Sequence, residues 1–215
     1  MEKFKKVFAH VLKILKWAFL VLVGAFIILV IIRIPHAVNQ QKTDAQIIKI
    51  HNTKLTLPDV MGENLPPDPG IEADKTVQGI DANNNGIRDD VELAIFKEYP
   101  NSAKTRAVLL QYALTLQMMV MQPIINTSTA TEVITELGRS DTCLSDTLVP
   151  RESPESSRSS NDMSKIDSYI NFIENKQINT DERKKIEKDF YGYVRDYGES
   201  TNTTICDIDL FLLSN

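Results

Sequence analysis

The sequence predicts a mostly α-helical protein, with an N-terminal single transmembrane helix followed by a small helical exterior domain. Three observations carry that expectation. WAFLVLVGAFIILVII, from Trp17 to Ile32, contains no polar side chain. Past residue 71, apolar residues recur at helical spacing between Pro and Gly stops. At 215 residues, the chain has room for one modest domain besides an anchor.

The anchor comes first. Extending the apolar run to Val11 and Ile34 gives about 24 residues, enough to cross a hydrocarbon core about 30 Å thick. Lys13 and Lys16 fall inside that extension, and their ammonium groups can snorkel to the headgroups. Trp17 sits near the same boundary, where indoles are favoured. Residues 1–33 carry a charge of +5. The flank after Ile34 has only Lys42 and Lys49 nearby. The positive-inside bias therefore predicts a cytoplasmic basic head, residues 1–10, and an exterior chain from about residue 36. A cleavable signal peptide is the alternative. Its apolar core is usually shorter, and Ile34-Pro35-His36-Ala37 is a poor cleavage site. An uncleaved signal-anchor over 11–34 is the expected state.

Residues 107–125, AVLLQYALTLQMMVMQPII, face the same test. Gln111, Thr115, Gln117 and Gln122 interrupt the run, and amides are costly in lipid. This segment is expected as the central helix of the domain, with Met118, Met119 and Met121 as packing residues.

Between anchor and domain, residues 35–70 read as stalk and Pro-rich linker. Residues 36–52 can continue the anchor helix, with Pro35 a possible kink. KLTLPDVMGENLPPDPG, 54–70, reads as extended backbone, with at most a marginal strand over 54–57. The domain, 71–215, is then expected as helices over 91–99, from a cap at Asn101 or Ser102 to 121, and over 128–137 with Gly138 as its stop. Residues 145–162 are Ser- and Pro-rich and read as a mobile loop. A two-helix hairpin follows. Ile166, Tyr169, Ile170 and Ile173 share one face, as do Ile186, Phe190, Tyr193, Val194 and Tyr197. Asn179 and Glu182 have capping-box spacing between them. Phe190, Tyr191, Tyr193 and Tyr197 read as packing rather than an aromatic binding patch.

Two cysteines, Cys143 and Cys206, lie on the expected outer side. An even count in an oxidising compartment predicts a structural disulfide. His36 and His51 lie far in sequence from either sulfur, which argues against a catalytic thiol or a zinc site.

The most specific chemistry lies in GIDANNNGIRDDVELAI, residues 79–95. The pattern D-x-[DN]-x-[DN]-G-x5-E supplies calcium with oxygens over twelve residues. Asp81, Asn83 and Asn85 occupy positions one, three and five, and Gly86 stands sixth at the sharp turn. Ile87 offers its backbone carbonyl at the seventh, Asp89 stands ninth and Glu92 twelfth. The metal-free alternative is a turn at Asn84-Asn85-Gly86 leading into a helix capped by Asp89 and Glu92. That alternative leaves the alternation of Asp81, Asn83 and Asn85 unexplained.

These residues resemble the calcium loop of EF-hands, and more closely the loop-plus-one-helix forms in dockerins and thrombospondin type 3 repeats. The resemblance covers 12–17 residues. It implies one bound Ca2+ held by Asp81, Asn83, Asn85, Ile87, Asp89 and Glu92. Two departures stand out. Arg88 occupies the eighth position, where paired EF-hands place an apolar residue against a second loop, and 73–79 is a poor incoming helix. No second loop matches the pattern, so the resemblance implies a solitary structural site. Three carboxylates imply weak affinity, on the order of 10⁻⁴ M. The run through Tyr99-Pro100 also resembles stretches of uncharacterised bacterial envelope proteins, a resemblance that brings no activity with it.

Function classes narrow accordingly. Residues 34–215 carry −10, which disfavours nucleic acid. No Ser-His-Asp order, H-E-x-x-H, P-loop or G-x-G-x-x-G is present. The expected role is a membrane-anchored, calcium-binding interaction or accessory protein of the cell envelope, with a protein partner. One alternative is an extracytoplasmic carboxylate-dependent hydrolase. Another is a small membrane-complex subunit acting through its anchor, where Gly24 and Ala25 permit close helix packing.

Overall fold

The computed structural model describes residues 1–123, 125–153, 155–195 and 204–213. Seven α-helices and no strand occur among them. The chain divides into two compact units, Met1–Ala45 and Gln46–Asn215.

Helix α1 runs from Glu2–Asn52 and is the one described helix long and apolar enough to cross a membrane. Its large apolar side chains from Trp17 to Ile32 are exposed, the surface that lipid rather than water suits. The helix continues through Pro35. Its last turns already belong to the second unit, where Ile50 is buried.

The second unit is built around α4, Ala103–Met121. Ser102 caps it, its side chain accepting the Thr105 N–H. All but three of its side chains are buried, so neighbours surround it on every side. Met118 and Met119 pack as expected, whereas Met121 is exposed. The glutamines are satisfied within the protein. Gln111 donates to the Ile205 carbonyl, and Gln117 donates to the Gln78 carbonyl. A membrane span would forfeit those partners.

Around α4 lie α2 (Leu57–Met61), α3 (Asp89–Glu98), α5 (Thr127–Leu148), α6 (Ser160–Gln177) and α7 (Asp181–Tyr191). Several expectations are corrected here. Residues 54–70 do not form an extended spacer or a strand. Thr56 and Asp59 make a capping box that starts α2, Leu55 and Val60 are buried, and a 3-10 turn follows at Gly70–Asp74. Burial of Leu55 and Val60 recruits this Pro-rich stretch into the core.

Gly138 does not stop α5. The helix continues ten residues further and buries Arg139, Ser140, Cys143, Leu144 and Ser145. That burial outweighs the cost of one mid-helix glycine, about 1 kcal/mol. The loop expected over 145–162 shrinks accordingly. Ser159 and Asp162 form the capping box that opens α6.

Thr180, not Asn179, caps α7, its hydroxyl accepting the Arg183 N–H. Asn179 instead donates to Asp74. The helix ends at Tyr191, before Tyr193 and Val194, while Tyr197 lies outside the described residues. Phe190 is buried, but Tyr191 and Tyr193 are largely exposed.

Candidate functional site

Residues 79–92 form a closed turn leading into α3. Asn84 has φ 58° and Gly86 φ 85°, so the reversal uses two left-handed residues in three. Gly86 also passes close to α4, where an added Cβ would stand 2.7 Å from Leu114 Cδ1. A side chain there would be both strained and crowded.

The expected ligands organise this turn. Asp81 accepts the N–H groups of Asn85 and Gly86, at 3.1 and 2.9 Å. The Asn85 side-chain oxygen accepts the Ile87 N–H at 2.9 Å. Asp89 accepts the Ala82 N–H with both oxygens, at 3.0 and 3.2 Å. Its own N–H donates to the Ile80 carbonyl at 2.9 Å, which staples the two ends of the turn. Ile87 inserts its side chain fully into the core.

Helix capping does not account for Asp89 and Glu92. The N-cap of α3 is Arg88, so Asp89 is already its first residue and the capping-box reading is corrected. Glu92 turns back into the loop. Its Oε2 accepts the amide nitrogens of Asn83 and Asn85, both at 3.1 Å. Its Oε1 is buried without a hydrogen-bond partner. Glu92 is 1% exposed, and burial pushes its pKa up to about 7. The two asparagine amides pull it down, and the like charges of Asp59 and Asp89 push it further up. Asp89 is also raised, first by burial and then by its neighbours Asp81 and Asp90, against the pull of the Ala82 N–H.

This loop therefore buries carboxylate charge that its own amides only partly satisfy, the environment that a cation relieves. The donor chemistry is all oxygen, as a hard divalent ion requires. Among the described residues, no three His, Cys, Asp or Glu side chains form a ready metal-binding group. The expected set also draws on two asparagines and a backbone carbonyl. Asn83 and Asn85 present nitrogen to Glu92. Half a turn about the last side-chain bond of each exchanges nitrogen for oxygen, at the expense of the Asn85 oxygen's bond from the Ile87 N–H and the Asn83 nitrogen's bond to the Asn64 carbonyl. The donor types present are those that calcium takes.

Beside the loop lies a cleft of about 700 Å³, floored by Ile50, Leu114 and Met118 and walled by Asn52, Thr53 and the turn itself. Its carboxylates are engaged. Asp59 accepts the Thr56 N–H and hydroxyl, and Asp81 holds the turn. Among the described residues, no aromatic side chain or histidine lines it.

The cysteines meet as expected. Cys143 on α5 is bonded to Cys206, with Cα atoms 5.2 Å apart. The residues around Cys206 form a buried polar cluster absent from the sequence reading. Arg139 pairs with Glu136 at 2.7 Å and Asp207 at 2.6 Å, and donates to the Ile205 carbonyl at 2.8 Å. Lys54 reaches Glu136 at 2.8 Å. Both ring nitrogens of His51 face carboxylates, those of Glu132 and Glu136.

The burial of two further residues escaped the sequence reading. Arg88 and Arg183 are both fully buried. A basic residue in a polar loop or on an amphipathic helix normally reads as solvated, and only the position of Arg88 inside the ligand pattern marked it out. Comparison with family models, with curated proteins and with solved structures finds no match to this chain.

Proposed function

We propose that this chain is a membrane-anchored, calcium-binding interaction or accessory protein of the cell envelope, with calcium in a structural role. The observation that carries the reading is Glu92, a buried carboxylate with one unpartnered oxygen, at the twelfth position of a complete calcium-loop pattern. Asp81, Asn83, Asn85, the Ile87 carbonyl, Asp89 and Glu92 would hold the ion. When bound, calcium supplies the positive charge that these acids share. The protein's own part is to fix the turn, through Asp81 on the Asn85 and Gly86 N–H groups and Asp89 on Ala82.

The address follows from α1 and the lysine bias. Residues 1–10 lie in the cytoplasm, and the unit from Gln46 lies in the periplasm or outside the cell. The paired Cys143 and Cys206 support an oxidising compartment. The domain acts by binding a protein partner, consistent with a cleft whose acids are occupied in holding structure.

Thermal unfolding of the full chain in detergent micelles tests the reading. At 10 mM calcium, a site of about 10⁻⁴ M adds about 2.7 kcal/mol, which raises Tm by roughly 5–10 °C. Asp81→Ala and Glu92→Ala are expected to abolish the calcium-dependent rise. An equal rise in both variants would sink the assignment.

A further inference from the structure

The hairpin α6–α7 is fastened to the candidate calcium loop by two buried arginines. Arg88 lies between the seventh and ninth loop positions, and its side chain reaches out of the loop to α6. One guanidinium nitrogen donates to the Gln177 carbonyl at 3.0 Å and to Lys176 at 3.5 Å, the C-terminal end of α6. A cation there meets the negative end of the helix dipole. The rest of the fork is held by Asp90, at 3.0 and 2.6 Å, which fixes its direction. Gly79 makes room for it. With φ 72°, it lies where an added Cβ would stand 2.9 Å from the Arg88 stem.

Arg183 makes the reciprocal grip from α7. It donates to the carbonyls of Ala73, Thr76 and Val77, at 2.8, 3.0 and 2.8 Å, the segment leading into the loop. Asp74 bridges the two, 2.5 Å from Arg183 and 3.4 Å from Arg88. Asn179 completes the seam by donating to Asp74. Hairpin and loop are thus joined through two guanidinium groups with fixed direction and no exposure.

We infer that calcium in the loop controls the docking of the α6–α7 hairpin, with Arg88 as the coupling residue. This rests on the calcium reading above and names its regulation. Asp81, Asp89 and Glu92 repel one another without a cation, so the turn loosens around Arg88. The guanidinium then loses its aim at the end of α6. Neutralisation tightens the turn and restores the grip. By linkage, a docked hairpin favours calcium binding by the same factor. The face that the hairpin frees would be the calcium-sensitive surface.

Hydrogen–deuterium exchange of the full chain in micelles, with 10 mM calcium or with chelator, tests this alongside calorimetry. In the wild type, calcium is expected to slow exchange in residues 81–92 and, by about tenfold, in residues 170–191. Arg88→Met keeps every loop ligand. It should retain calcium-dependent protection of 81–92 and lose that of the hairpin. Arg88→Lys keeps the charge but not the fork, so its hairpin response should fall between the two; it replaces Arg88→Met should that variant not fold. Calcium bound to the wild type with hairpin exchange unchanged overturns the coupling alone. A full hairpin response in the Arg88 variants overturns the role of Arg88. No calcium heat and no protection in the wild type overturns the calcium reading, and the coupling with it.

Discussion

Replacing Cys143 and Cys206 by serine lowers the stability of the helical unit by about 4 kcal/mol and its Tm by roughly 10 °C. The bond joins positions 63 residues apart, so its loss frees a long loop in the unfolded chain. The native state loses order as well. Cys206 anchors the segment that carries the Ile205 carbonyl and Asp207. Those groups serve Gln111, Leu55 and Arg139, and Gln111 in turn accepts the Asp207 N–H. Paired denaturation curves of wild type and double-serine variant give the number. A difference below about 1 kcal/mol would contradict the role assigned to this bridge.

Arg139→Leu is expected to cost 3–5 kcal/mol, by order of magnitude about the same. Glu136 and Asp207 have side chains only 2% exposed, and both depend on the Arg139 guanidinium. Lys54 is the remaining lysine or arginine, close to Glu136 but 3.8 Å from Asp207, and a His51 ring nitrogen lies 3.3 Å from Glu136. Removing arginine leaves a buried carboxylate pair facing one lysine. The cluster also sets a pH dependence. Burial alone would raise the Glu136 pKa, but Lys54 and Arg139 outweigh it, and the net shift is downward. A depressed carboxylate contributes stability above its unfolded value near 4.5, and that contribution fades as pH falls through the lower folded value. The wild type should therefore lose stability in acid below about pH 4.5. Glu136→Gln should be less stable at neutral pH and show a shallower acid limb. Equal acid limbs would rule out the cluster as the source. Because Asp207 sits next to Cys206, the arginine and cysteine substitutions should not add.

Much of this architecture was readable from residue pattern. The unbroken apolar run from Trp17 to Ile32 has one physical solution, an uninterrupted helix, and α1 supplies it. Ser102 announces α4, and the spaced apolar residues of 166–173 announce α6. The two cysteines pair because no other partner exists for either. What stayed hidden depends on tertiary burial. Gly138 reads as a stop until Arg139, Ser140, Cys143, Leu144 and Ser145 beyond it are seen to be buried. The Pro-rich stretch 54–70 reads as spacer because few of its side chains are buried, chiefly Leu55, Asp59, Val60 and Pro66.

The loop was legible in its ligand order but not in its attachments. Asp81, Asn83, Asn85, Asp89 and Glu92 stand together around one turn, as their spacing required. Nothing in the spacing tells that Arg88 is buried or that it reaches α6, because a charged side chain becomes a core residue only when distant carbonyls receive it. Asp59 was equally hidden. It is close enough to Glu92 to raise its pKa, yet it lies 33 residues upstream in a segment that looked unstructured.

The most direct test is a calorimetric titration of the full chain in micelles with calcium near pH 7.5, beside Asp81→Ala and Glu92→Ala. The account predicts one site per chain with a Kd on the order of 10⁻⁴ M, absent from both variants. No saturable heat from the wild type up to 10 mM calcium, with the chain folded, would contradict it.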